Sequence, residues 1–566
     1  MSFTVDMPDS EGKGAVNAAD FGLDEKLPDN TAALMNAIVH CRAEHIGRLD
    51  VDKGVYHFQN EAFISFSGMR DFTFDGHNAE FIFDGPYFFE IDGCERVAIR
   101  NTITDYNWDK NRLGNLVRVL SVDREGLVLT LEFMEIADVD PDIDIMTMNR
   151  FDPQTLTPGL SGGKEYWIMP DTLVRREKGA AANILRLWFR KGAFEGIQPG
   201  EIYLARHVRK RQGAAFRIND SAHVTLKANT VYSAYSAAHI VTGKSEYIRL
   251  DGVKIGIRPG ANRRLSTEAD GFHIAQSRGH VIIENCDFSF MGDDAVNIHD
   301  GHFFVSEVLS PRSLKLRNAS YGEAGDVLEI KNPDFSPSGH TLTLQSLTRA
   351  EGARETVLFF EEDIPAFVKE GNILINKSYN SGNYIIRNNY FHENRARGLL
   401  LQCDNGLVEN NRFYRTQGAA VYIMLEALKN LWYEGSGVRN LMIRDNSFTD
   451  CNCGDWSSVI DAVAIIPDET SEYPVFNDIT IENNTLSGFP SLAMYLSTAD
   501  NLMLNANKIY PRAGQEELII AERCGKISLN GNTAGGKALT GDDIIRSDSC
   551  TTRRKLLYLK PLYPDV

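Results

Sequence analysis

Two short stretches carry side chains able to do acid–base chemistry together: "ADGFHI" (269–274) and "MGDDAVNIHDG" (291–301). The first holds Asp270 and His273; the second holds Asp293, Asp294, Asn297, His299 and Asp300. Acidic pairs are ordinarily solvated turn residues, but this one opens a segment that alternates apolar and polar residues as a strand does. Carboxylates on neighbouring strands, about 5 Å apart, repel one another. At least one of them should then hold its proton nearer to neutrality. One protonated and one ionised carboxyl is what glycoside hydrolysis needs, the acid for the leaving oxygen and the base for water. A splayed pair from adjacent rungs could span the roughly 6.5–9.5 Å of an inverting enzyme better than the roughly 5–5.5 Å of a retaining one.

What brings the two stretches together is an internal repeat. "HVTLKANTVY" (223–232), "YIRLDGVKI" (247–255), "HVIIENCDF" (280–288), "YIIRNNYF" (384–391), "GLVENNRFY" (406–414), "NLMIRDNSF" (440–448), "DITIENNTL" (478–486), "NLMLNANKI" (501–509) and "KISLNGNTA" (526–534) share one pattern. Each alternates, reaches a small polar pair, and resumes with an apolar residue. Asn, Asp and Gly tolerate the left-handed conformation, so they bend the chain at one fixed place per turn. The uninterrupted spacing of 22–25 residues predicts an all-β right-handed parallel β-helix, each turn stacked on the last. Setting "DGFHI" over "DAVNI" stacks Asp270 on Asp294 and His273 on Asn297. "SAAHI" (236–240) then places Ser236 and His239 in the same columns, and "RGLLL" (397–401) puts Arg397 over the aspartates.

The solenoid must cover its open end. "PDNTAALMNAIVHC" (28–41) predicts a capping helix started by Asp29 or Asn30, with Leu34, Met35, Ile38 and Val39 as its apolar stripe. Two stretches break the period and read as small antiparallel β-barrels with similar exit sequences, two copies of one module. The expected organisation is a cap and first rungs over 1–105, module one over 106–212, and the aspartate-bearing rungs over 213–302. Module two follows over 303–378, then C-terminal rungs and tail over 379–566. Arg263, Arg264, His273, Asn297, His299 and Arg397 are candidates to bind sugar hydroxyls. Trp108, Trp167, Trp432 and Tyr422 are candidate stacking platforms, although a core role is the commoner fate of an aromatic.

The chain of 566 residues carries a net charge of −18. That charge argues against nucleic acid or an anionic membrane surface as partners. No apolar run approaches the ~20 residues needed to cross a bilayer. Eight scattered cysteines without zinc spacing read as reduced thiols. With the N-terminal "MSFTVDMPDS", which has no basic region ahead of an apolar stretch, they lead us to expect a cytoplasmic location. The inserted modules could pair subunits, so a homodimer is also an expectation.

The stretch "DGFHIAQSRGHVIIENCDFSFMGDDAVNIHDG" resembles the core of glycoside hydrolase family 110, inverting α-1,3-galactosidases that trim terminal galactose. The resemblance covers most of the chain from "AVNAADFG" (15–22) to about 535 and is strongest over 268–302. More distantly the chain resembles polygalacturonases, with Glu268-Ala269-Asp270 in place of their Asn-Thr-Asp and without their Gly-His-Gly and Arg-x-Lys. The resemblance implies a β-helix with inserted barrels, a galactose-terminated oligosaccharide or glycan as substrate, and no metal or cofactor. It implies Asp293 as general acid, with Asp270 and Asp294 holding the water; Glu268 and Asp300 are further candidate sugar-binding residues, Asp300 where a less acidic residue is expected. The alternatives are a β-helix glycosidase for a uronate or galactan, a polysaccharide lyase, and a non-catalytic glycan-binding solenoid. A lyase would betray itself by chelator sensitivity and an ultraviolet-absorbing product, and a spike-like binder by trimerisation.

Overall fold

The molecule is described from a computed structural model, which covers all residues except 1, 11, 169–171, 191–193, 209–211, 318–320, 350–354, 428–432, 468–472 and 548–566. The alternating repeats coil into the rungs of a right-handed parallel β-helix. In one wall the strands Ala222–Lys227, Glu246–Asp251, Gly279–Glu284, Tyr384–Arg387, Gly406–Glu409 and Val438–Arg444 pair parallel and in register. One inward column therefore runs Leu226, Leu250, Ile283, Ile386, Val408, Ile443, every member buried. Each turn leaves this wall through a left-handed residue, Asn285, Asn388, Asn410 and Asp445 among them, as the small polar pairs predict.

The residue after each bend builds a second regular feature. Asn389, Asn411, Asn446, Asn484, Asn507 and Asn532 are buried one above another, and each side-chain amide donates to the next carbonyl oxygen at 2.9–3.1 Å.

The opposite wall carries the site. Its strands Ala214–Asn219, Ala237–Thr242, Phe272–Ala275, Val296–His299, Leu399–Leu401, Val421–Ala427 and Ser458–Ile465 also stack in parallel. His273 pairs with Asn297, and Asn297 with Leu400, as the alignment of the repeats requires. One rung earlier that alignment slips by one: His273 pairs with Ile240, and His239 with Phe272. A one-residue slip turns a side chain to the other face. His239 is accordingly fully buried, stacked on Phe216, and is no part of the site column.

The capping helix spans Thr31–Ala43. Asp29 accepts the Thr31 amide at 3.0 Å, while Asn30 accepts from Asp24 instead. Its buried stripe is Leu34, Ala37, Ile38 and Cys41; Val39, expected inside, is exposed, because small Ala37 and Cys41 complete the helical spacing.

The two inserts share a plan but not a closure. The second is a closed barrel whose six strands, numbered in chain order, run 1-2-5-4-3-6 around the ring, from Phe303–Ser310 to Ile373–Asn376. The first lays Gly114–Asp123, Val128–Phe133, Ile184–Phe189 and Leu173–Lys178 side by side, and Ile202–Arg206 then Thr147–Phe151 on the other flank. That is the same cyclic order, opened where the barrel would close, with the extra strand Glu165–Trp167 added on Thr147–Phe151. Among the described residues, the expected first barrel is thus an open seven-stranded antiparallel sheet. Glu165 on its edge strand and Arg206 on an inner strand serve the site.

Candidate active site

Asp270, Asp293 and Asp294 converge. One carboxylate oxygen from each lies within 4.8 Å of the others. The stacking that produces this is explicit in the backbone. Asp270 Oδ1 accepts the Asp294 amide at 2.9 Å, and one rung on Asp294 Oδ1 accepts the Arg397 amide at 3.0 Å. Gly292, just before the pair, lets the chain pass close to its neighbours. A Cβ there would sit 2.6 Å from Arg206 Nη1 and 2.7 Å from the Thr267 carbonyl.

Each aspartate has a different environment. Asp294 is buried, and the Arg397 guanidinium grips both its oxygens at 2.7 Å. Burial pushes its pKa up to about 6; Arg397 opposes this, and the charges of Asp293 and Asp270 add to it. Asp270 receives His273 Nδ1 at 2.7 Å. Burial alone would lower the His273 pKa, but the hydrogen bond and charge of Asp270 outweigh it and raise it. His299 is lowered by burial, and the charge of His273 works in the same direction. Their Nε2 atoms are 3.1 Å apart, within hydrogen-bond reach of one another. Asp293 has the most accessible side chain of the three, at 21% against 10% and 1%. Its Oδ1 receives Arg395 Nη1 at 3.0 Å, and its main-chain carbonyl accepts from Asn394.

Sequence reasoning missed the residues behind this arrangement. Arg395 also donates to the Gly292 carbonyl and to both oxygens of Glu165, which lies on the extra strand of the first insert. Arg206, on that insert's last strand, is wholly buried and donates to the carbonyls of Gly292 and Glu268 at 2.8 and 3.1 Å. Arg395 lies two residues from Arg397 but in the bend that holds left-handed Ala396, where strand alternation gives no signal. Nothing in the repeat could have placed Glu165 or Arg206, which belong to the insert.

Several expected sugar-binding residues are engaged elsewhere. Arg263 donates to both oxygens of Asp105 and covers Trp108, whose indole N–H is bonded to Ser233. Arg264 donates to the Arg263 carbonyl, and its charge acts on Glu135. Glu268 has no exposed surface and faces Arg206 at 3.5 Å. Asp300 is buried and accepts from the Gln276 amide and from the Ser381 amide and hydroxyl, so it braces adjacent rungs. Polar type does not disclose the partner, and these four found theirs inside the protein. Trp167 is partly buried on the first insert, Tyr422 is buried beside Arg397, and Trp432 lies outside the described residues. His273, Asn297, His299 and Arg397 share the site wall.

Three close carboxylates could also surround a cation. Calcium takes six to eight oxygens, and here Arg395 and Arg397 already supply the positive charge.

A family described as a right handed beta helix region matches residues 368–460. An α-1,3-galactosidase A of Bacteroides fragilis is 29% identical over 365 residues, 60% of this chain and 59% of that protein. An α-1,3-galactosidase B of Bacteroides thetaiotaomicron is 25% identical over 508 residues, 83% and 80% of the two chains. The chain spans about three-fifths of the length of the first relatives it matches, 59% and 61%. A family 28 exopolygalacturonase of Yersinia enterocolitica has a TM-score of 0.45 at 13% identity, covering 95% of this chain and 77% of that one. The resemblance to the α-1,3-galactosidases is borne out by the two galactosidases.

Proposed function

We propose that this relative of the α-1,3-galactosidases is an exo-acting inverting glycoside hydrolase that releases terminal α-linked galactose from oligosaccharides or glycans. The observation that carries the reading is the convergence of three carboxylates from adjacent rungs, each with a different hydrogen-bond partner. Asp293, the accessible one, gives its proton to the glycosidic oxygen as the bond to the anomeric carbon breaks. Asp270 and Asp294 hold a water on the opposite face of the sugar. As the water attacks, its proton passes to this pair and galactose leaves as the β-anomer. The oxygens of the trio lie closer than the roughly 6.5–9.5 Å usual between the carboxyls of an inverting pair. Two bases sharing one water, with a third carboxyl as acid, suits the tighter spacing.

A neutral sugar is favoured over a uronate because the two arginines at the trio are already used. Arg395 is shared between Asp293 and Glu165, and Arg397 is clasped by Asp294. The test is hydrolysis of a panel of aryl glycosides with the first-formed anomer read by ¹H NMR. The reading requires turnover of an α-galactoside with the β-anomer appearing first. The α-anomer first, or turnover only of an α-galacturonide, would overturn it.

A further inference from the structure

Beyond the aspartates, the site wall holds polar atoms with no protein partner. On the rung of Asn297 and His299, Asn297 Oδ1 and His299 Nδ1 are buried and without a hydrogen-bond partner among the described residues. On the next rung, Gln402 extends the His299 column, and neither its Oε1 nor its Nε2 has a partner. One rung further, Glu426 Oε1 is also unpartnered, and the residue is 4% exposed. Native proteins seldom leave one such atom unsatisfied. Five on three successive rungs of one wall, around the imidazole that Asp270 orients through His273, form a socket.

A second carboxylate closes it. The short strand Tyr433–Glu434 runs antiparallel to the end of Val421–Ala427, with Glu434 directly opposite Glu426 and bridged to Gly301 on its other side. The two glutamates sit side by side, and the charge of Glu434 also reaches His273 and His299. Burial, then the charge of Glu434, pushes the Glu426 pKa up to about 8, so near neutrality this side chain keeps a proton and can both donate and accept. Amide, imidazole and carboxyl groups in this mixture match the hydroxyls of a neutral sugar. They include no arginine or lysine to pair with the carboxylate of a uronate, which the charge of Glu434 would repel.

We propose that Asn297, His299, Gln402 and the Glu426–Glu434 pair form the hydroxyl-reading wall that selects a neutral terminal hexose. This rests on the hydrolase reading above and names the groups that set its sugar specificity. Glu426 is the residue to probe, because it lies outside the aspartate trio.

The experiment compares kcat/KM for the wild type, Glu426→Gln and Glu426→Ala on a parent aryl α-galactoside and its 2-, 3-, 4- and 6-deoxy analogues, with circular dichroism as the fold control. We expect Glu426→Ala to lose about 10–100-fold on the parent. It should lose almost nothing on the one analogue lacking the hydroxyl that Glu426 reads, with Glu426→Gln intermediate. An equal loss on all five substrates means that the wall is structural and overturns the inference, while leaving the hydrolase reading intact. If the wild type cleaves no α-galactoside, that reading fails, and thermal shift with free neutral hexoses decides the wall. A hexose that stabilises the wild type but not Glu426→Ala supports it; no hexose shifting the wild type refutes it.

Discussion

The fold stacks polar side chains twice, with opposite results. On one wall, six asparagines form a ladder in which every amide both donates and accepts, so each rung satisfies the next. On the other, Asp270 accepts the Asp294 amide and Asp294 accepts the Arg397 amide, a similar rung-to-rung bond. A carboxylate only accepts, so these side chains cannot bond to one another. Their remaining capacity goes to His273, Arg397 and whatever occupies the cleft. Stacked amides give order; stacked carboxylates give repulsion, a raised pKa and a place for chemistry.

Substitutions can break that contrast from either side. The largest effect belongs to the carboxylates: Asp270→Asn and Asp294→Asn should each lower kcat/KM on an α-galactoside by about 10²–10⁴-fold while melting near the wild type. In the ladder the effect reverses. Asn446 accepts from the Asn411 amide groups and donates to Val408 and Asn484. Asn446→Ala orphans several buried groups and should cost about 2–4 kcal/mol in denaturant unfolding, with kcat/KM of the remaining folded enzyme little changed.

A smaller effect sharpens the electrostatics. Asp294 must be ionised to act as a base, and its pKa of about 6 sets the acid limb of the kcat/KM profile. Arg397 lowers that value, so Arg397→Met should move the acid limb to higher pH; an unmoved limb would separate Asp294 from the titration. The smallest effect is on stability. The Glu426 carboxyl is raised in the folded state from 4.5 to about 8, so its protonated form is favoured by folding. That contribution is complete below about pH 4.5 and is lost as pH rises through 8. Glu426→Gln should therefore flatten the decline in melting temperature between about pH 4.5 and 8.

The contrast also explains how much the sequence disclosed. Period-two alternation and recurrent Asn and Asp turns are local signals, and they carried the β-helix, the Asp270–Asp294 column and the position of Arg397. His239 misleads because "SAAHI" and "DGFHI" share a His-Ile pair although their strands are offset by one residue, and a single residue reverses the face. The open sheet of the first insert escaped because strand closure is set by long-range pairing. Glu165 and Arg206 escaped for the same reason: each lies more than 60 residues from the site residue it touches, in a segment outside the repeat. Arg263, Arg264, Glu268 and Asp300 looked available because composition cannot show which polar groups the fold will consume.

The central claim, that carboxylates from adjacent rungs meet at one glycosidic oxygen with Asp293 as the proton donor, is tested most directly by leaving-group dependence. The measurement is kcat/KM of Asp293→Asn and wild type on an α-galactosyl disaccharide and on 2,4-dinitrophenyl α-galactoside, whose leaving group needs no proton. The account predicts a loss of about 10³-fold or more on the disaccharide and at least tenfold less on the dinitrophenyl substrate. Equal losses on both substrates, or retained activity on the disaccharide, would contradict it.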